Sequence, residues 1–262
     1  MTSTVSQSPG MTGQGPTAPG ILAAGGVDIA YHRIAGKSPG VVFMGGFMSD
    51  MTGSKAMALE AFCRRRGQGF LRFDYRGHGA SSGRFEDGTI GSWSEDALAA
   101  FDRLTEGPQV IVGSSMGGWI ALLTALKRPE RVAALVGIAA APDFTEDLVW
   151  AELTAEQKTQ ITRDGVLRLP SQYSETPYGI TLQLIEDGRQ HLLLRDAIAL
   201  TCPVRLLHGQ RDPDVPWQHS LRLAEKLASS DVRTILIKDG DHRLSRDQDI
   251  ALLCRTVEEL LA

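Results

Sequence analysis

Residues 109–119 read QVIVGSSMGGW: an apolar run that ends in two adjacent serines between glycines and leads into a second apolar stretch. The run Gln109 to Val112 has the composition of a buried strand, and from about Gly117 a helical pattern begins, so the serines stand in a strand-to-helix turn. A nucleophile in such a turn is held in a strained backbone conformation, and the residues two before and two after it must be small for strand and helix to pack. Ser115 has Gly113 and Gly117 at those places, whereas Ser114 would have Val112 and Met116. Ser115 is therefore the nucleophile candidate. GSSMGG alone is also compatible with a plain glycine-rich loop; the flanking strand and helix favour the catalytic turn. A nucleotide-binding loop is excluded, because the spacing is not G-x-G-x-x-G and no Lys-Ser or Lys-Thr closes the turn.

Outward from this turn the same alternation recurs. Strands are expected at Ile29 to Ile34, Val41 to Met44, Gly69 to Phe73, Gln109 to Val112, Ala133 to Ile138, Val204 to His208 and Arg233 to Lys238. Helical patterns lie between and after them, at Lys55 to Arg65, Ser94 to Leu104, Trp119 to Lys127, Ser220 to Ala228 and Asp247 to Leu261. Strands alternating with helices predict an α/β fold with a mostly parallel central sheet flanked by helices. One domain over residues 21–262 is expected, with residues 143–200 inserted as a cap between the strands Ala133 to Ile138 and Val204 to His208. In that insertion Leu148, Val149, Trp150 and Leu153 suggest a helix, and Thr154-Ala155-Glu156-Gln157 has the capping-box pattern of a second. The stretch ITLQLIEDGRQHLLL fits a helix slightly better than a hairpin turning at Asp187-Gly188. Residues 1–20 contain no charged side chain and are mostly Ser, Thr, Gly, Pro and Gln, which predicts a disordered tail.

A serine hydroxyl needs a histidine base and an acid to orient it. The strand ending at His208 runs into GQRDPDVPW, which offers Asp212 a few residues past the strand end and Asp214 as its competitor; Asp212 is preferred for its place in the loop. The last strand ends in Asp239-Gly240-Asp241-His242, which puts His242 before the final helix. Ser115, Asp212 and His242 then follow one of the chain orders in which such triads occur. His32, His78, His191, His208 and His219 are expected to be structural. For the oxyanion hole, the backbone N–H of Met116 follows the nucleophile, and Gly45-Gly46 lets the backbone of Phe47 approach the substrate as the second donor. Asp74 is expected to bind backbone N–H groups rather than to catalyse. Met48, Met51, Leu148 and Trp150 are candidates to line an apolar acyl pocket, of which Met48 and Trp150 are the favoured substrate contacts, with plain core packing as the equal alternative.

The words GSKAMALEAFCRRRG, FDYRGHGASSG, GPQVIVGSSMGGW, CPVRLLHGQRDPDVPW and DGDHRLS resemble the α/β-hydrolase superfamily. Within it they are most similar to the palmitoyl-protein thioesterases of the abhydrolase-domain group, mitochondrial enzymes also known as mycophenolic acid acyl-glucuronide esterases, and to their bacterial relatives. The resemblance covers nearly everything after about residue 27. It implies a hydrolase of thioesters and esters, with Ser115, Asp212 and His242 at the triad positions and an acylated protein or a small molecule as substrate. His-Gly is common where Gly45-Gly46 stands here, a departure that leaves the backbone donors intact.

A chain of 262 residues with 42% hydrophobic and 22% charged side chains has the balance of a folded domain, and it has no apolar run of the roughly 18 to 20 residues that cross a bilayer. Membrane insertion is not expected. A net charge of -4 leaves no basic field for nucleic acid, and Arg64-Arg65-Arg66 reads as a solvated helix end. Cys63, Cys202 and Cys254 form no CxxC pair, so neither a disulfide framework nor a zinc site is expected, and no cofactor is called for. Without an arginine-rich or signal-like start, a cytoplasmic enzyme is expected. The alternatives to a thioesterase are a small-molecule carboxylesterase, a perhydrolase using the same triad, and a non-catalytic ligand-binding member of the fold. A haloalkane dehalogenase is excluded because it needs an Asp nucleophile.

Overall fold

The computed structural model describes residues 18–169 and 177–261. The strands are β1 (Gly20–Ala24), β2 (Val27–Ile34), β3 (Lys37–Met44), β4 (Gln68–Phe73), β5 (Gln109–Ser114), β6 (Val132–Ile138), β7 (Val166–Leu169), β8 (Tyr178–Thr181), β9 (Val204–Gly209) and β10 (Val232–Ile237). Eight of them form one sheet in the order β1-β2-β4-β3-β5-β6-β9-β10. From β4 to β10 every pairing is parallel, while β1 with β2 and β2 with β4 are antiparallel. This is the α/β architecture expected from the alternation.

Side-chain alternation along the central strands divides the core. Val41 and Phe43 of β3 join the cluster that also holds Leu59 and Phe62 of α1 (Ser54–Arg66) and Leu253 and Val257 of the last helix (Asp247–Leu260). Val42 and Met44 point the other way, toward Trp93 and Phe101 of α2 (Ile90–Leu104) and Trp119 and Ile120 of α3 (Met116–Lys127). A strand buried on both faces reads as a continuous apolar run, and β5 is buried along its whole length. Every parallel strand therefore delivers its C-terminal end to the same sheet edge, where β3, β5, β6 and β9 release the loops that carry the candidate residues.

Between β6 and β9 the chain makes a π-helical turn (Thr145–Trp150), α4 (Ala155–Asp164), the antiparallel pair β7–β8, and α5 (Leu182–Gly188). The Thr154–Gln157 capping box forms with both of its hydrogen bonds, at 3.2 and 2.9 Å. The ambiguous stretch after Thr181 is helical rather than a hairpin. The segment instead contains an antiparallel pairing of β7 with β8, two four-residue strands absent from the expected set. Asp143 ties the two ends of the segment together: it is fully buried and accepts the backbone N–H groups of Leu193 and Leu194 at 2.7 and 2.8 Å.

The expected tail, residues 1–20, lies outside the described residues as far as residue 17. Its last residue, Gly20, opens β1, whose five residues pair with β2 from Gly20–Tyr31 to Ala24–Val27. Backbone pairing with β2 makes β1 the edge strand of the sheet and orders Gly20, whose neighbours in composition predict no order.

Candidate active site

Ser115 caps the N-terminus of α3 with φ 54° and ψ -121°, a conformation that L-residues adopt only under constraint. The constraint is close packing. A Cβ at Gly113 would run into the backbone of Gly117 and Gly118, and one at Gly117 would strike the carbonyls of Met44 and Gly45. The glycines on either side of Ser115 let β5, α3 and the loop after β3 meet at one point. Five non-glycine residues among those described have positive φ, and Met48, Ser115, Ala139, Asp143 and Leu244 all belong to loops at the C-terminal edge of the sheet or beside it. Strain concentrates where the loops converge.

Three candidate side chains from distant parts of the sequence are brought into one line. His242 Nε2 lies 3.0 Å from Ser115 Oγ, and His242 Nδ1 lies 2.7 Å from Asp212 Oδ2. The carboxylate can only accept, so the proton sits on Nδ1 and Nε2 is free to accept from the serine hydroxyl. Asp212 Oδ1 in turn accepts the backbone N–H groups of Asp214 and Val215, each at 2.8 Å. The Asp212 side chain has no solvent exposure. Burial works to raise the Asp212 carboxyl, but hydrogen bonds from His208 and His242 outweigh it and hold the group far below the usual carboxylate range. It is a fixed negative charge beneath His242.

The loop after β3 closes against the serine. Gly46 approaches so tightly that a Cβ there would stand 3.4 Å from Ser115 Cβ, and a turn from Gly46 to Ser49 is fastened by Ser49 N donating to the Gly46 carbonyl at 3.2 Å. Phe47 and Met48 occupy the middle of this turn. The Phe47 ring packs edge-on against Phe85, Trp93, Phe144 and Tyr178, at centroid distances of 4.8 to 6.0 Å. Tyr178 comes from β8, so the inserted segment touches the very loop that adjoins Ser115. Met48 has positive φ and is 50% exposed, an apolar side chain left uncovered beside the site.

The other apolar candidates are placed differently. Met51 is in the core; its N–H donates to Asp74 Oδ1 at 2.6 Å and its carbonyl accepts from Arg72. Trp150 lies in the π-helical turn, with the Arg189 guanidinium 4.7 Å and the Lys158 ammonium 5.6 Å from its ring centroid. Asp74 accepts from Met51 and Ala80 backbone N–H groups and so staples the loops after β3 and β4.

Sequence reasoning passed over His208. It is the penultimate residue of β9, is fully buried, and places Nε2 3.1 Å from Asp212 Oδ2, the same oxygen that His242 contacts. A run of strand residues does not disclose which side chain turns back onto the following loop. Asp212, Asp214 and His242 also bring possible metal-ligand atoms within 4.8 Å of one another. In this arrangement His242 Nδ1 is hydrogen-bonded to Asp212 Oδ2 and His242 Nε2 to Ser115 Oγ, a geometry that serves proton transfer.

Residues 41–254 match the model of the alpha/beta hydrolase family. The chain is 46% identical over 235 residues to the palmitoyl-protein thioesterase ABHD10, mitochondrial, of Mus musculus, a span covering 89% of this chain and 79% of that protein. The solved structure of mouse alpha/beta hydrolase domain-containing protein 10 has a TM-score of 0.87 at 43% identity, covering 93% of this chain and 98% of the other. A solved structure from Agrobacterium vitis S4 has a TM-score of 0.89 at 40% identity, covering 94% and 99%. Relatives from Mus musculus, Bos taurus and Homo sapiens are named as mitochondrial proteins, which corrects the expectation of a cytoplasmic enzyme. That expectation rested on the lack of an arginine-rich or signal-like stretch, which does not specify a compartment. No helix among the described residues is long and apolar enough to cross a membrane. With its sheet order, its strained serine turn and a family match over most of its length, the chain belongs to the alpha/beta hydrolase family.

Proposed function

We propose that the protein is a serine thioesterase and esterase of the palmitoyl-protein (acyl-protein) thioesterase and acyl-glucuronide esterase type, working through an acyl-enzyme. The observation that carries this reading is the unbroken hydrogen-bond path from Ser115 through His242 to Asp212, in a chain nearly half identical to a palmitoyl-protein thioesterase. Ser115 Oγ attacks the acyl carbon while His242 Nε2 takes its proton, and Asp212 stabilises the imidazolium that forms without itself accepting the proton. The carbonyl oxygen, now carrying the negative charge, is bound by the backbone N–H groups of Met116 and Phe47. Collapse of the tetrahedral intermediate breaks the bond to the thiolate or alkoxide, which leaves with the proton from His242. Water then attacks the acyl-serine with His242 again as base, releasing the carboxylic acid and restoring Ser115.

The acyl chain is assigned to the apolar surface formed by Met48 and the rings around Phe47, under residues 143–200 acting as a cap. An exposed, flexible thioether accepts chains of different shape without a unique fit. We assign Trp150 to holding the shape of the cap, because Arg189 and Lys158 engage its ring.

The test is a set of specificity constants for S-acyl thioesters from acetyl to palmitoyl, with one aryl acyl glucuronide alongside. Each methylene that becomes buried contributes up to about 0.8 kcal/mol, so kcat/KM is expected to rise with chain length until the apolar surface is filled. Turnover confined to acetyl or butyryl esters would identify a small-molecule carboxylesterase instead.

A further inference from the structure

We propose that His208 is a positioning residue of the triad, whose Nε2–H fixes the Asp212 oxygen that faces His242. This rests on the assignment of Ser115, His242 and Asp212 made above. The protonation of His208 follows from its partners. Nε2 lies 3.0 Å from the Val215 carbonyl oxygen and 3.1 Å from Asp212 Oδ2, and both can only accept, so Nε2 carries a proton. Nδ1 lies 2.6 Å from Ser220 Oγ, whose hydroxyl can donate to it and complete a neutral ring held from both ends.

The consequence falls on the carboxylate. Oδ1 of Asp212 accepts two backbone N–H groups, from Asp214 and Val215, and Oδ2 accepts from His242 and His208. With His208 removed, only Oδ1 remains tied to the scaffold, and Oδ2 is free to swing with the imidazole it is meant to orient. A neutral donor suits this task better than a cation, which would compete with the imidazolium formed on His242 during catalysis. An arginine or lysine in the place of His208 would weaken the attraction that Asp212 exerts on that transient charge. The titratable groups around the carboxylate are His208 from β9, His242 from the loop after β10, and Asp214 from the same loop as Asp212. Tyr178 of β8 faces Asp214, and its hydroxyl is pushed up by burial first and by the Asp214 charge second.

A purely structural histidine would be satisfied by Val215 and Ser220 alone, and the two roles separate in kinetics. For His208→Leu we expect kcat on an acyl thioester to fall by about 10 to 100-fold with KM within about twofold, the effect of losing a hydrogen bond to a charged group that acts in the transition state. The acidic limb of kcat/KM should move upward by about half a pH unit or more, because the carboxylate loses a competing donor. His208→Gln, whose amide N–H can reach the place of Nε2–H, should recover most of kcat and return the limb to its wild-type position. In the wild-type protein, 15N NMR at neutral pH should show His208 protonated at Nε2 and not at Nδ1. The proposal is overturned if the limb does not move and activity falls only in step with the melting temperature, or if the spectrum shows the opposite tautomer. Should His208→Leu not fold, His208→Gln and the wild-type spectrum still decide. Ser115→Ala run in parallel separates the two levels: activity surviving there removes the triad assignment itself, whereas an inactive Ser115→Ala beside a fully active His208→Leu removes the role of His208 alone.

Discussion

The backbone N–H of Asp214 donates to Oδ1 of Asp212 at 2.8 Å, so the two aspartates that compete in the sequence are partners in the fold. One presents its carboxylate to His242, and the other contributes a main-chain donor that holds that carboxylate in place. Asparagine at 212 can offer its N–H to His242 and stabilise the wrong tautomer, so Asp212→Asn should lower kcat by about four orders of magnitude. Asp214→Asn keeps the main-chain donor, and turnover should stay within a few-fold of wild type. Steady-state kinetics on one activated ester distinguishes them; a reversed order of damage would reassign the acid.

The two serines should separate just as cleanly. Ser115→Ala removes the hydroxyl 3.0 Å from His242 Nε2 and should abolish turnover, by up to about a million-fold, together with labelling by a fluorophosphonate probe. Ser114 is the last residue of β5 and is buried in the sheet opposite Ile138. Ser114→Ala should therefore label at close to the wild-type rate. Labelling that followed Ser114 would contradict the reading of the turn.

The central strands were legible because Val41–Met44 of β3, Val110–Val112 of β5 and Val132–Val136 of β6 are unbroken, buried or nearly buried apolar runs bounded by turn residues, and β9 is broken only by Arg205 and His208. The candidate triad was legible from chain position: Ser115, Asp212 and His242 follow the C-terminal ends of three parallel strands, β5, β9 and β10. β1 escaped because it adjoins an uncharged, glycine-rich and proline-rich segment, and β7 and β8 because four residues carry too little alternation to register. His208 and the packing of Tyr178 on Phe47 escaped for a different cause. Both depend on where the chain returns in space, and local periodicity carries no information about contacts over 4 residues in one case and 131 in the other.

Gly117 allows a sharper test of how the turn is built. A methyl group there would overlap the carbonyls of Met44 and Gly45, which are backbone atoms at the end of β3 and cannot rotate away. Gly117→Ala should destabilise the protein by about 1 to 3 kcal/mol, the usual cost of overpacking, read as a lower urea midpoint at unchanged m-value. Because the same contact sets the loop carrying Phe47, kcat should fall further than the loss of folded protein explains. A variant as stable and active as wild type would mean that the loop has slack.

Lys55 gives the fold a pH dependence whose sign can be stated in advance. Its ammonium donates to the carbonyl of Arg243, next to His242, from the first turn of α1. Burial first, and the Arg243 charge second, push its pKa down from 10.5 to about 8, against the opposing pull of Asp241 and Asp249. Below about pH 8 the amine is charged in both folded and unfolded chains, and the folded state bears the full cost of burying the charge. Between about 8 and 10.5 the unfolded chain binds more protons than the folded one, so stability attributable to this group rises with pH across that window. The whole effect is bounded by about 3 kcal/mol and is reduced by the side chain's partial exposure to water. Lys55→Met lacks the titration. The melting temperature of wild type relative to Lys55→Met should therefore improve steadily from pH 7 to pH 10 when both are measured in the same buffers. Two curves that stay parallel over that range would show that the amine is solvated and that the loop carrying His242 is held by other contacts.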